Sequence, residues 1–227
     1  MNILIVEDEA SIREEMTRFL EQQRYTVESV GNYVSADEKL ELYGYDCMIV
    51  DVMLPDGNGI DLIRKAKRLG LMTGVIVVSA CGATEEKIAG LESGADDYIA
   101  KPFSLAELNA RVHAVIRRRN FGGQEEFVFN ELRLSLSARR VFVGESELTL
   151  TPKEYDMLVY FITNHGRVLS KESIVEHLWG DAAGLAADSF DFIYTHIRNL
   201  RNKLLEAGAC DYIRTVYAVG YKFTDES

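Results

Sequence analysis

Three carboxylates, one hydroxyl and one ammonium stand at the ends of short apolar runs in the first half of the chain. Glu7 and Asp8 follow NILIV, Asp51 follows MIV, Ser79 follows VIVV, and Lys101–Pro102 comes just after DYI. Two carboxylates about 4 Å apart repel by roughly 4 kcal/mol at an effective dielectric near 20. Three on one rim call for a cation. Every ligand on offer is oxygen, which favours a hard ion that keeps several waters, and Mg²⁺ fits best. A carboxylate beside such an ion, with no catalytic base or nucleophile triad near it, suits acceptance of a phosphoryl group on Asp51 itself. The ion and Lys101 would neutralise the phosphoryl oxygens, and the Ser79 hydroxyl would hydrogen-bond one of them.

These groups meet only if the run ends share an edge. Residues 2–6, 48–50 and 75–78 are continuous, β-branched apolar runs, the pattern of parallel strands covered on both faces. Weaker strand patterns lie at 26–30 and 97–99. Helical spacings separate them, such as Ile12, Met16, Phe19 and Leu20, or Leu105, Leu108, Val112 and Val115. Five such units predict an α/β fold with a five-stranded, doubly wound parallel sheet. Ligands bind such a sheet beyond the carboxyl ends of its strands. Pro55, Gly57 and Gly59 let the chain turn sharply away from Asp51.

The pattern changes after RRRNFGGQEE at 117–126. The expected organisation is a first domain over 1–118, a linker over 119–124 and a second domain over 125–225. Strand patterns follow at 127–129, 131–136, 140–143 and 147–150. Thr151, Pro152 and Glu154 spell an N-cap, a first-turn proline and a capping-box acid. Ser170 with Ser173 opens a second helix, Asp188 or Ser189 a third, and a hairpin fits 212–223. Strands, three helices and a terminal hairpin predict a winged helix-turn-helix α+β domain.

The chain has 227 residues, enough for two ordinary domains, and no apolar stretch long enough to span a bilayer. Its first residues lack a basic-then-apolar leader pattern. Cys47, Cys81 and Cys210 are widely spaced and form no metal or redox pair, so reduced thiols and a cytoplasmic location are expected. The net charge of −11 argues against nonspecific polyanion binding by the whole protein, but a local basic face remains open. The segment FIYTHIRNLRNKLL, 192–205, carries Arg198, Arg201 and Lys203 and no acid. Ile193, Ile197, Leu200 and Leu204 form its buried stripe. Thr195, Arg198 and Asn202 fall opposite, with Asn199 beside them. Arginine pairs with guanine or phosphate, asparagine with adenine, and a threonine methyl with thymine.

Residues 2–118 resemble a response-regulator receiver domain of flavodoxin-like fold. IVEDE, IVDVMLPDGNG, VVSA and GADDYIAKPF carry the likeness. The resemblance implies phosphorylation of Asp51 and Mg²⁺ held by Asp8, Asp51 and the Met53 backbone carbonyl, with Glu7 acting through water. It also implies phosphoryl contacts from Ser79 and Lys101, a cis Lys101–Pro102 peptide and Tyr98 as an aromatic switch. Met53 and Cys81, both apolar and flanking the phosphoryl site, imply slow loss of the phosphate. A two-fold dimer is implied as well, pairing Lys87 with Glu107, Asp97 with Arg111 and Asp96 with Arg118. Ser93 replaces one further acid used by some relatives.

Residues 125–224 resemble the winged-helix effector domain of OmpR/PhoB-type regulators, through LTLTPKEYDML, GRVLSKESIVEHLWG, THIRNLRNKL and DYIRTVYAVGYKF. This implies a recognition helix around 190–205 in the major groove and a wing at 213–222. The implied DNA-facing residues are Thr195, Arg198, Asn199, Arg201, Asn202, Lys203 and Tyr217. Tyr217–Ala218 replaces the family's usual Arg-Gly, which weakens the wing contact and puts the hairpin conformation in question. Tyr194 and Thr195 stand where the family tends to carry an acid, so no base preference is carried over.

The resemblance implies a phosphorylation-activated transcription regulator rather than an enzyme. Its implied partners are a sensor histidine kinase, promoter DNA, RNA polymerase and a second copy of the chain, with no membrane. A haloacid-type phosphohydrolase also uses an aspartyl nucleophile, but wants an acid two residues later, where Met53 stands. A phosphorylation-independent DNA-binding protein with a degenerate receiver would not need the complete acid, hydroxyl and lysine set.

Overall fold

A computed structural model describes residues 1–80, 92–180 and 191–226. The chain divides into two compact units, Met1–Gly123 and Gln124–Ser227.

In the first unit, five parallel strands form one sheet: β1 (Asn2–Val6), β2 (Thr26–Val30), β3 (Cys47–Asp51), β6 (Gly74–Ser79) and β7 (Asp97–Ala100), in the order β2-β1-β3-β6-β7. β1, β3 and β6 are buried at every residue, as continuous apolar runs require. Successive side chains alternate between faces. Leu4, Val6, Met48, Val50, Val75 and Val77 pack against α2 (Tyr33–Leu42) and α3 (Gly59–Arg68). Ile3, Ile5, Ile49, Ile76 and Val78 pack against α1 (Ala10–Gln22) and α4 (Leu105–Phe121). β4 (Met53–Leu54) and β5 (Gly57–Asn58) form a small antiparallel pair just after β3. Most of these helices are capped from the sequence: Asn32, Asn58 and Ser104 each accept a backbone N–H of the first turn of α2, α3 and α4.

One expectation needs correcting. Arg119, Asn120 and Phe121, assigned to a 119–124 linker, belong to α4. The helix stops at Gly122, whose φ of +61° suits a glycine terminator. Phe121 is 4 % exposed, so burial of its ring draws the helix past the basic run.

In the second unit, β8 (Glu126–Phe129), β9 (Leu132–Ser135), β10 (Arg140–Val143) and β11 (Ser146–Leu148) form an antiparallel meander. Three helices follow: α5 (Pro152–Thr163), α6 (Lys171–Trp179) and α7 (Asp191–Glu206). The Thr151–Glu154 capping box and the Ser170 cap are formed as expected. The expected helix start at Asp188 or Ser189 lies outside the described residues. β13 (Ile213–Val216) and β14 (Gly220–Phe223) make the terminal hairpin. β12 (Val168–Ser170) adds to β14, a strand not expected from the sequence. It is too short to show a period, and Gly220 is needed there because a Cβ would overlap the Leu169 carbonyl.

Candidate functional site

The carboxyl ends of β1, β3 and β6 bring the expected groups to one rim. One carboxylate oxygen from each of Glu7, Asp8 and Asp51 lies within 4.8 Å of the other two. Lys101, just beyond β7, reaches across the rim. Its Nζ donates to Asp51 Oδ2 at 2.6 Å and to Glu7 Oε1 at 2.8 Å. Burial alone would lower the Lys101 pKa, but its hydrogen bonds to the Asp51 and Glu7 carboxylates hold it above the usual lysine range. Burial pushes the Glu7 carboxyl above its ordinary value, and the Lys101 ammonium only partly offsets this. Ser79 ends β6 at 1 % exposure, and its carbonyl accepts the Lys101 N–H at 2.8 Å. The Lys101–Pro102 peptide is cis. Tyr98 is 9 % exposed and packs in the cluster that holds Val50 and Val77. Cys81 and Lys87 lie outside the described residues.

The donor set fits a hard divalent ion. Glu7 Oε2 is buried without a hydrogen-bond partner among the described residues, so an acceptor there could take a donor or a hydrated cation. Among the described residues, Lys101 is the cation hydrogen-bonded to carboxylates of this rim, one positive charge against three acids. Asp8 is exposed, so that side of the rim opens to solvent.

The structure adds contacts around these residues that the sequence reading did not give. Met53 N–H donates to Asp51 Oδ1 at 3.0 Å, fixing the carboxylate from its own turn. Asp56 accepts the N–H groups of Tyr33 (2.6 Å) and Val34 (3.0 Å), tying that turn to the start of α2. These two bonds hold its carboxyl below the usual range. A Cβ at Gly59 would overlap the Asp51 carbonyl, so glycine lets α3 begin against the end of β3. Arg13 donates to the Glu7 carbonyl at 2.6 Å and the Asp8 carbonyl at 3.1 Å, holding the loop that carries both acids. An Asp-Gly turn after a strand was a visible signal. The Arg13 contacts had none.

Of the residues expected at a dimer face, the described ones are paired within the chain. Arg111 binds Asp97 (3.0 and 3.1 Å) and Glu107 (2.8 Å). Arg119, not Arg118, grips the Asp96 carboxylate at 2.8 and 2.9 Å, and Arg118 donates to the Asp96 carbonyl at 3.2 Å.

In the second unit, Ile193, Ile197, Leu200 and Leu204 are at most 2 % exposed, so α7 buries the expected stripe. Thr195, Arg198, Asn199 and Asn202 are exposed. Arg201 and Lys203 are half-buried and carry contacts within the unit. Arg201 donates to the Ile213 carbonyl and lies 3.3 Å from Asp211 Oδ1. Lys203 Nζ contacts Glu154 Oε2 at 2.7 Å and the Thr149 carbonyl at 3.1 Å. Both were expected to face DNA; the partners that claim them lie on other elements. At the hairpin tip Tyr217 is 94 % exposed, and Ala218 takes a φ of +61°. The turn closes by Val219 N–H to the Val216 carbonyl at 3.1 Å, so the alanine accepts the conformation that glycine favours.

Residues 3–113 match the family described as response regulator receiver domain, and residues 145–223 match transcriptional regulatory protein, C terminal. The phosphate regulon transcriptional regulatory protein PhoB of Klebsiella pneumoniae is 39 % identical over 225 residues, 98 % of this chain and 97 % of its own. The response regulator ArlR of Staphylococcus haemolyticus (strain JCSC1435) is 37 % identical over 221 residues, 97 % of this chain and 98 % of its own. A solved CheY-like receiver domain protein from Methanospirillum hungatei JF-1 superposes on 54 % of this chain and 98 % of its own. Its TM-score is 0.52 and its identity 29 %.

Proposed function

The chain belongs to the two-component response regulators of OmpR/PhoB type, DNA-binding transcription regulators rather than enzymes, and from that premise we propose that Asp51 is its phosphoryl acceptor. The carrying observation is the Lys101 ammonium between Asp51 and Glu7, with Asp8 on the same rim. Asp8, Asp51 and the Met53 carbonyl would hold Mg²⁺, with Glu7 acting through water. The ion supplies charge neutralisation for the phosphoryl oxygens.

A carboxylate oxygen of Asp51 attacks the phosphorus of a phosphohistidine on a sensor kinase. The P–N bond breaks, an O–P bond forms, and the released imidazole takes up a proton. Lys101 shifts from the Asp51 carboxylate to a phosphoryl oxygen, and the Ser79 hydroxyl donates to another. Tyr98 then holds its buried position, which biases the face carrying Asp96, Asp97, Glu107, Arg111 and Arg118 toward a homodimer. Arg111 trades its in-chain partners for Asp97 of a second copy, and Lys87 pairs with Glu107 of that copy. Arg118 competes with Arg119 for Asp96. Two effector units then reach adjacent half-sites with α7 in the major groove and the Tyr217 hairpin beside it. In the cytoplasm the DNA-bound dimer meets RNA polymerase.

No helix among the described residues is long and apolar enough to cross a membrane. The test is sedimentation and DNA footprinting of wild type and Asp51→Ala, with and without an acyl-phosphate donor and Mg²⁺. The donor should drive dimerisation and tighten binding in wild type alone. An equal response in Asp51→Ala overturns the reading.

A further inference from the structure

We propose that α7 reads an A·T-rich half-site through Asn199 and Asn202, with Arg198 as its one DNA-facing cation, while Arg201 and Lys203 act as positioning clasps. The inference rests on the reading that α7 enters the major groove, and it adds what α7 recognises there.

Thr195, Arg198, Asn199 and Asn202 are spaced three, one and three apart, a single stripe on a helix of 3.6 residues per turn. All four are exposed, opposite the buried Ile193–Leu204 stripe. Arg198, Asn199 and Asn202 have no hydrogen-bond or ionic partner among the described residues, so their donors and acceptors are available to a ligand. An asparagine amide presents one donor and one acceptor in a plane, which matches N7 and N6–H of adenine. A threonine methyl matches the thymine methyl. Two asparagines, a threonine and one arginine therefore favour A·T pairs, with room for one guanine or phosphate at Arg198.

The other two cations of the helix are committed internally. Arg201 joins α7 to β13 through the Ile213 carbonyl and Asp211, and Asp211 also lies 3.6 Å from Arg214. Lys203 joins α7 to the start of α5, where the Glu154 side chain is only 4 % exposed. Both clasps set the height of the reading helix against its neighbours and add no charge to its outer stripe. At the hairpin tip Tyr217, Ala218 and Val219 are exposed and uncharged, and Arg214 on β13 is the hairpin's exposed cation, near Asp211. A reading surface this poor in cations also suits a unit of net negative charge.

The test selects binding sites from a random duplex library with the full-length protein treated with an acyl-phosphate donor, then measures affinity against salt for single variants. Selected half-sites should be A·T-rich. Asn199→Ala and Asn202→Ala should each weaken the selected site about 5- to 150-fold and relax one position, with nonspecific binding unchanged. Arg198→Ala should reduce the slope of log K against log salt by about 0.9. Arg201→Lys and Asp211→Asn should weaken binding with that slope intact, and Lys203→Gln should behave alike. Asp211→Asn keeps every cation, so it serves if Arg201 variants fail to fold. G·C-rich selected sites, or a slope lost with Arg201 or Lys203, overturn the inference alone. Failure to select any sequence, with all stripe variants silent, overturns the underlying reading of α7 as the groove helix.

Discussion

The Lys101 ammonium lies 2.6 Å from Asp51 Oδ2, a contact between residues fifty positions apart that closes the acidic rim. The same ammonium reaches Glu7, which is 1 % exposed. Replacing Lys101 with methionine leaves both acids buried without their cation. The expected cost is about 1–3 kcal/mol, read as a lower urea midpoint in EDTA and largely restored by millimolar Mg²⁺. Labelling from an acyl-phosphate donor should slow by about 10- to 100-fold. A midpoint indifferent to both the substitution and Mg²⁺ contradicts the rim arrangement.

Gly59→Ala should cost about 1–3 kcal/mol, because the new Cβ overlaps the Asp51 carbonyl and must push α3 off the end of β3. Gly44→Ala is the control. Nothing lies within 4 Å of a Cβ there, and the change should stay within about 0.5 kcal/mol. Urea unfolding of the two variants side by side decides it.

Burial pushes the Glu154 carboxyl up, but the Lys203 ammonium and the Thr151 N–H outweigh it and hold the group below the usual range. A depressed carboxyl contributes stability that is full above its unfolded pKa and is lost as pH falls through the folded value. Acidification below about pH 4 should therefore unlock α5 from α7 in wild type, and less so in Glu154→Gln. Trp179 is the chain's one tryptophan and sits at the end of α6, so its fluorescence reports this unit. Removing the cap with Glu154→Ala should cost about 1 kcal/mol.

Arg119→Ala should destabilise the first unit by about 1–2 kcal/mol, since it frees an Asp96 carboxylate that also accepts the Val75 N–H at 2.8 Å. Arg118→Ala, which loses one contact to a carbonyl, should leave stability nearly unchanged and act on self-association instead. The reverse order of effects, read by thermal melting and sedimentation, contradicts the in-chain pairing.

What the sequence revealed and what it hid follow one physical division. The run ends that carry Glu7, Asp8, Asp51, Ser79 and Lys101 were readable because strand direction fixes which end of each run faces the rim. The Ile193–Leu204 stripe was readable because helical period fixes a face. The in-chain contacts of Arg201 and Lys203 were hidden because period says which way a side chain leaves its helix but not what it meets. Their partners, Ile213 and Glu154, lie 12 and 49 positions away. Asp56, beside the turn residues Pro55 and Gly57, anchors α2, again through a contact 23 positions distant. The end of α4 moved from 118 to Phe121 because a ring found a pocket beyond the charged run.

The most direct measurement is the intact mass and peptide map of the full-length protein after treatment with an acyl-phosphate donor and Mg²⁺. One phosphoryl group per chain, on the peptide carrying Asp51, absent in EDTA and absent from Asp51→Asn, is the expected outcome. A phosphoryl group that survives in Asp51→Asn, or that forms equally without divalent metal, contradicts a metal-neutralised aspartyl acceptor at this rim.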